Sequence, residues 1–119
     1  MLRDSKPWFF ENSKVPVFLS YFTPITIGAI TIGPFVFSRG EMSEETKNHE
    51  TIHWQQYIEC GIIGFIILYY LFYAINLIRY SDGQIAYYQI PFEKEAYDND
   101  NNLDYLETRK RYSWISNGE

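Results

Sequence analysis

A chain of 119 residues that is 46% apolar and 19% aromatic has the size of one folded domain and excludes disorder as the general state. A net charge of -5, with the Lys and Arg scattered, excludes nucleic acid as the main partner, because phosphate recognition needs a clustered basic surface. The lone Cys60 closes no intrachain disulfide, so nothing requires an oxidising compartment and an intracellular setting is expected. Residues 1–14 read as an N-terminal arm of mixed charge with Trp8, Phe9 and Phe10 early, and without the features of a cleavable signal peptide.

Residues 15–38 carry no charge, yet Pro16, Pro24, Gly28, Gly33 and Pro34 interrupt them too often for a spanning helix. Ile25, Ile27, Ala29 and Thr31 alternate with Thr26, Gly28, Ile30 and Ile32, as the two faces of a strand do. The stretch is therefore expected to be β-rich, with two or three short strands punctuated at Pro24 and at Gly33-Pro34.

Residues 43–80 are expected to form two helices. Ser43 caps the first, Glu44 and Glu45 complement its positive end, and Gly61 or Gly64 ends or bends it. Residues 60–78 form a second uncharged stretch, close to the roughly 20 residues a membrane span needs. Three placements fit: crossing a bilayer, lying in its interface, or packing under the strands. Gly61 and Gly64 also permit close packing against a second copy, so a homo-oligomer stays open.

Ser81-Asp82-Gly83 marks a turn, Pro91 suits the first position of a further helix, and residues 98–102 are polar enough to end it. The sequence LDYLETRKRYSWI suggests one more short helix, with Arg109, Lys110 and Arg111 on a solvated face or against an anionic membrane surface. The expected fold class is α+β in a single domain. Its parts are the arm, short β-strands over 15–38, the helix pair over 43–80, and a glutamate-bearing helix with a tail over 84–119.

The chemistry lies in His49-Glu50-Thr51-Ile52-His53, an HExxH motif that contains both histidines of the chain. Four residues apart on a helix, the imidazoles share a face and can converge on one metal, with Glu50 placed to act as general base. Catalytic zinc usually takes a third protein ligand. Cys60 lies too far along the axis, and Glu59 is turned away from the histidine pair. Glu93 and Glu95 are the candidates, with Asp98 and Asp100 behind them. Gln55 and Gln56 either hydrogen-bond a ligand or face water, with water favoured, Trp54 and Tyr57 read as core or membrane-interface aromatics, and Cys60 as a small buried residue.

HETIH followed by FEKEAY resembles the gluzincin pattern, in which a glutamate in an ExxA(D/N)-like motif on a second helix is the third ligand. The resemblance implies Glu93 as ligand and Ala96 as the small residue, with Tyr97 where many gluzincins carry Asp or Asn. A further likeness, to small zincin-like proteins of bacteria and phages, covers about residues 25–115 through Gln56, Gly61-Ile62-Ile63-Gly64-Phe65 and Glu93-Lys94-Glu95-Ala96-Tyr97. These likenesses imply a minimal zincin-like domain.

Zinc chemistry then leads to a metallohydrolase, a small membrane-associated peptidase acting on a peptide or protein, although other divalent ions suit the same donors. Glu95, Tyr97 and Gln56 are candidates for supporting the ligands, and Tyr87, Tyr88 or Tyr97 for binding an oxyanion. The alternatives are a non-catalytic protein stapled by zinc and a membrane-interface adaptor without metal.

Overall fold

The computed structural model describes residues 6–21 and 28–117 and is mixed α+β: a small sheet followed by helices. The sheet has three strands, β1 (Trp8–Phe10), β2 (Ala29–Ile32) and β3 (Phe35–Ser38), in the order β1-β3-β2. β2 and β3 form an antiparallel hairpin closed by Gly33-Pro34, in register Thr31 opposite Val36. Gly33 sits at a φ of 56°, the left-handed region that glycine tolerates best. β1 pairs parallel to β3, Phe9 opposite Val36. Val36 and Thr31 are buried on the inner face, whereas Trp8, Phe10, Ile32 and Phe35 are exposed on the outer one.

Two expectations for this half are corrected. The arm contains a strand, β1, too short at three residues to leave an alternation in the sequence. Val15–Ser20, read as part of the β-rich stretch, is a helix, α1. The Ser13 hydroxyl accepts from the Val15 amide at its start, and Pro16 sits in its first turn, where its fixed φ suits a helix and its missing amide costs nothing. Pro24, Ile25, Thr26 and Ile27 lie outside the described residues.

The helices follow: α2 (Glu44–Cys60), α3 (Ile62–Tyr80), α4 (Gly83–Tyr88), α5 (Pro91–Asn99), α6 (Tyr105–Thr108) and α7 (Ser113–Asn117). Ser43 caps α2 by accepting from the Thr46 amide at 3.1 Å. Gly61 breaks the path between α2 and α3 with φ 77° and ψ 154°, a conformation nearly confined to glycine, while Gly64 lies inside α3. Asp82 caps α4 through the amides of Gln84 and Ile85, and Pro91 opens α5. The single short helix expected in the tail is instead α6 and α7, parted at Arg109, whose backbone is extended.

The apolar core gathers around Phe92 of α5, which is fully buried, with ring centroids 4.5 Å from Phe65, 4.7 Å from Trp114 and 5.9 Å from Phe72. Burying such a side chain contributes on the order of 2–3 kcal/mol. α3 meets this core through Phe65, Tyr69, Phe72 and Asn76, spaced four, three and four residues apart on one face. Asn76 donates to the Ala86 carbonyl at 3.0 Å and ties α3 to α4. The opposite face is apolar and open, with Ile63 74% and Ile78 85% exposed. By length and composition α3 could cross a membrane, and only 11% of it is buried inside the fold.

Candidate metal centre

α2 packs on both the sheet and α5, and this sets the geometry of the site. His49 and His53, one turn apart on the buried side of α2, face Glu93 in the first turn of α5. Glu93 Oε1 lies 3.3 Å from His49 Nε2 and 3.1 Å from His53 Nε2. One ligand atom from each residue lies within 4.8 Å of the other two, and all three side chains are buried. A tetrahedral zinc with bonds of about 2.0–2.1 Å places neighbouring donors roughly 3.3 Å apart, so the two His-to-Glu spacings fit such an ion. Glu95, Asp98, Cys60 and Glu59 do not join this group among the described residues.

The outer nitrogen of each imidazole is held by oxygen. His49 Nδ1 is 3.1 Å from Asp100 Oδ2, and His53 Nδ1 is 2.7 Å from Gln56 Oε1. With both Nδ1 atoms donating, Nε2 of each ring faces the common point, where a metal would take the place of any proton it carries. Asn48 fixes the turn carrying Asp100 by donating to the carbonyls of Asn99, Asp100 and Asn102. Asp100 therefore orients His49, a task the gluzincin likeness would have given to position 97. Tyr97 instead sets its ring edge-on to His49, with centroids 4.5 Å apart. The second Glu93 oxygen accepts from the Tyr69 hydroxyl at 2.6 Å. Sequence reading missed Asp100 and Tyr69 in these roles, although Asp100 lies two helical turns past Glu93 and Tyr69 is on the inward stripe of α3.

Glu50 is 6% exposed, with Oε2 3.8 Å from His49 Nε2 and Oε1 accepting from the Thr31 hydroxyl of β2 at 2.8 Å. Tyr57 donates to the Thr31 carbonyl, so the HExxH helix and β2 are joined at two points. Burial lowers the pKa of His53, but the adjoining Glu93 charge and hydrogen bond raise it further, to about 9. His49 is raised for the same reasons, and Glu93 is held well below the usual carboxylate range against its own burial. The hydroxyls of Tyr87 and Tyr97, 3.0 Å apart, are pushed up by burial and stay protonated donors.

Several expectations about the surroundings are corrected. Gln56, read as water-facing or as a support for the ligands, has no exposed surface and bridges His53 to α5. Gln55 is buried as well, and Cys60 is only half-buried. Glu95, left between a supporting group and an idle charge, is fully buried. Arg109 is not on a solvated face: it is 5% exposed and paired with Glu59 and Glu95. The missing signal for Arg109 was tertiary, since its partners are 50 and 14 residues away.

His49, His53 and Glu93 line an open cleft of ≈ 1330 Å³ between β2 on one side and α3 and α4 on the other. Its walls are largely apolar or aromatic, including Ile30, Ile32, Ile66, Tyr70, Tyr73 and Tyr88. No protein-family model, curated protein or solved structure matches the chain, so the likeness to gluzincins rests on its motifs alone.

Proposed function

We propose that the protein is a small zinc-dependent peptidase working at a membrane surface, with His49, His53 and Glu93 as metal ligands and Glu50 as general base. The observation that carries this reading is the convergence of three buried ligand atoms from two helices, with the Glu50 carboxylate beside them in an open cleft. Zinc in such a site supplies a Lewis acid that polarises a carbonyl and brings the pKa of water toward neutrality. Glu50 accepts the proton of the attacking water and passes it to the leaving amine. Tyr87 and Tyr97, protonated and lining the cleft, are the available donors to an oxyanion.

The sheet order leaves β2 at an edge, and an extended peptide added along β2 would run past Glu50. Because Tyr57 occupies the Thr31 carbonyl, Ala29, two residues earlier and pointing the same way, is the position left to pair with it. The apolar cleft walls favour apolar side chains beside the scissile bond. The reading is tested by elemental mass spectrometry. One zinc per chain is expected, lost in both His53→Ala and Glu93→Ala; an unmodified protein free of metal after zinc is added back refutes it.

The membrane part rests on α3. Its outward stripe of Ile63, Ile67, Tyr70 and Ile78 is apolar, and Ile66 and Tyr70 also line the cleft, so covering that stripe with lipid places the cleft mouth at the bilayer. Arg79 follows the apolar run, where a basic side chain reaches anionic headgroups. The protein is expected to float with phosphatidylserine-containing vesicles, and the double change Ile63→Asp with Ile67→Asp to weaken this at least about tenfold, since each charge opposes interfacial burial. Equal flotation of both proteins, or a stable dimer that ignores vesicles, removes the membrane from the reading.

One observation favours a second reading, in which zinc staples the fold without turnover. Buried polar side chains outnumber buried apolar ones among the described residues, so the core alone is a weak source of stability. Zinc-dependent folding without any Glu50-dependent hydrolysis would select it.

A further inference from the structure

Arg109 takes no part in the chemistry above, yet a chain of buried polar contacts leads from it to a metal ligand. Its guanidinium donates to both oxygens of Glu95, Nε to Oε2 at 2.5 Å and Nη2 to Oε1 at 3.0 Å. The same group donates to Glu59, Nη1 to Oε2 at 2.5 Å and Nη2 to Oε1 at 3.0 Å. Tyr105 donates to Glu95 Oε2 at 2.6 Å. Glu95 Oε1 in turn accepts from Gln56 Nε2 at 2.9 Å, and the same amide nitrogen donates to the Phe92 carbonyl at 3.0 Å. The other end of that amide, Oε1, faces His53 Nδ1.

The Gln56 amide can sit in only one of its two orientations. Turned over, its oxygen would face the Glu95 carboxylate and the Phe92 carbonyl, two acceptors with no proton between them, in a place with no exposed surface. Held as it is, the oxygen can be satisfied only by His53 Nδ1–H, which leaves Nε2 as the nitrogen that faces Glu93 Oε1 and would bind a metal once its proton is displaced. The bias depends on a charged, immobile Glu95. A carboxylate with 0% exposure stays in place only while a cation pairs with it; without Arg109 an uncompensated charge would be driven toward solvent.

We infer that Arg109 is a positioning residue for the metal ligand His53, acting through Glu95 and the locked amide of Gln56. The inference rests on the metal-site reading and adds to it a residue contributed by the tail, between α6 and α7. Positions supporting a ligand histidine in this way typically change metal affinity about 10–100-fold when lost.

The test is a double-mutant cycle on zinc affinity, read by competition with a chromophoric chelator, with circular dichroism of each metal-free protein to confirm folding. Gln56→Leu and Arg109→Met are each expected to weaken zinc binding about 10–100-fold. The double variant should be no weaker than the weaker single one, because both act on the same imidazole. Cobalt-loaded Arg109→Met should also show an altered visible spectrum, which a purely structural role would leave unchanged. Should Arg109→Met not fold, Glu95→Gln keeps the shape while removing the charge that orients the amide, and is expected to weaken zinc binding in the same direction. Wild-type affinity in the folded variants, or strictly additive losses, overturns the inference alone. An unmodified protein that binds no zinc overturns the metal reading and this inference with it.

Discussion

Replacing Glu50 by Gln is expected to lower peptide hydrolysis by about 10²–10⁴-fold while one zinc per chain is retained. The two effects separate because of where each atom of Glu50 points. Neither oxygen belongs to the ligand group of His49, His53 and Glu93, so the amide removes no metal bond. Oε1 is held by the Thr31 hydroxyl, which can still donate to the glutamine oxygen and keep the side chain in place. Oε2, on the side of His49, is the basic atom, and the amide nitrogen that replaces it has no lone pair for a proton. Turnover measured on a peptide library with zinc-loaded protein checks this. Unchanged hydrolysis removes Glu50 from the reaction, whereas no hydrolysis in either protein, with zinc bound, leaves the metal as a staple.

What could be read from the sequence was whatever is settled locally. The Ser43 cap, the Gly33-Pro34 turn, the break at Ser81-Asp82-Gly83 and the start of α5 at Pro91 each follow from a few residues and their backbone preferences, and all four are in the structure. The HExxH spacing put two imidazoles on one face for the same reason, since a helix alone determines that geometry. α1 was hidden because an uncharged, proline-containing run serves a short helix or a strand end equally well until its pairing is known. Residues that act through distant partners left no local trace. Gln56 looks like any helix-surface glutamine until α5 covers it, and Arg109 like any solvated arginine until Glu59 and Glu95 close around it.

That difference bears on the likeness to gluzincins. Motif matching points to Glu93, which the structure places among the converging side chains, but it puts the partner of His49 at position 97, one turn past Glu93 on α5. The structure supplies that partner from Asp100, just past the helix end, because three carbonyls held by Asn48 curl the chain back toward α2. The same electrostatic demand, an oxygen on each Nδ1, is thus met on His53 by Gln56, which the zincin-like likeness includes, and on His49 by Asp100, which no motif nominates. Electrostatics of this kind also determine how the site responds to pH.

Apparent zinc affinity is expected to rise at least about 100-fold between pH 6.5 and 8.5, while the metal-free protein loses stability over the same range. In the absence of metal, burial lowers the pKa of His53 but Glu93 raises it further, to about 9, so the ring carries a proton at neutral pH that zinc must displace. Each pH unit below that value costs about tenfold in affinity, and His49, raised as well, steepens the slope. The stability change has the opposite sign. A pKa raised on folding contributes stability fully below the unfolded value near 6.5 and loses it as pH rises through about 9, where the His53–Glu93 ion pair disappears. Glu93, held low by the same contact, loses its share only in strong acid, far below this window. Thermal unfolding with chelator and with excess zinc should therefore give curves that diverge as pH rises from 6.5 to 9. Parallel curves would mean that zinc does not compete with a proton at His53, and would move the metal away from the His49–His53–Glu93 pocket.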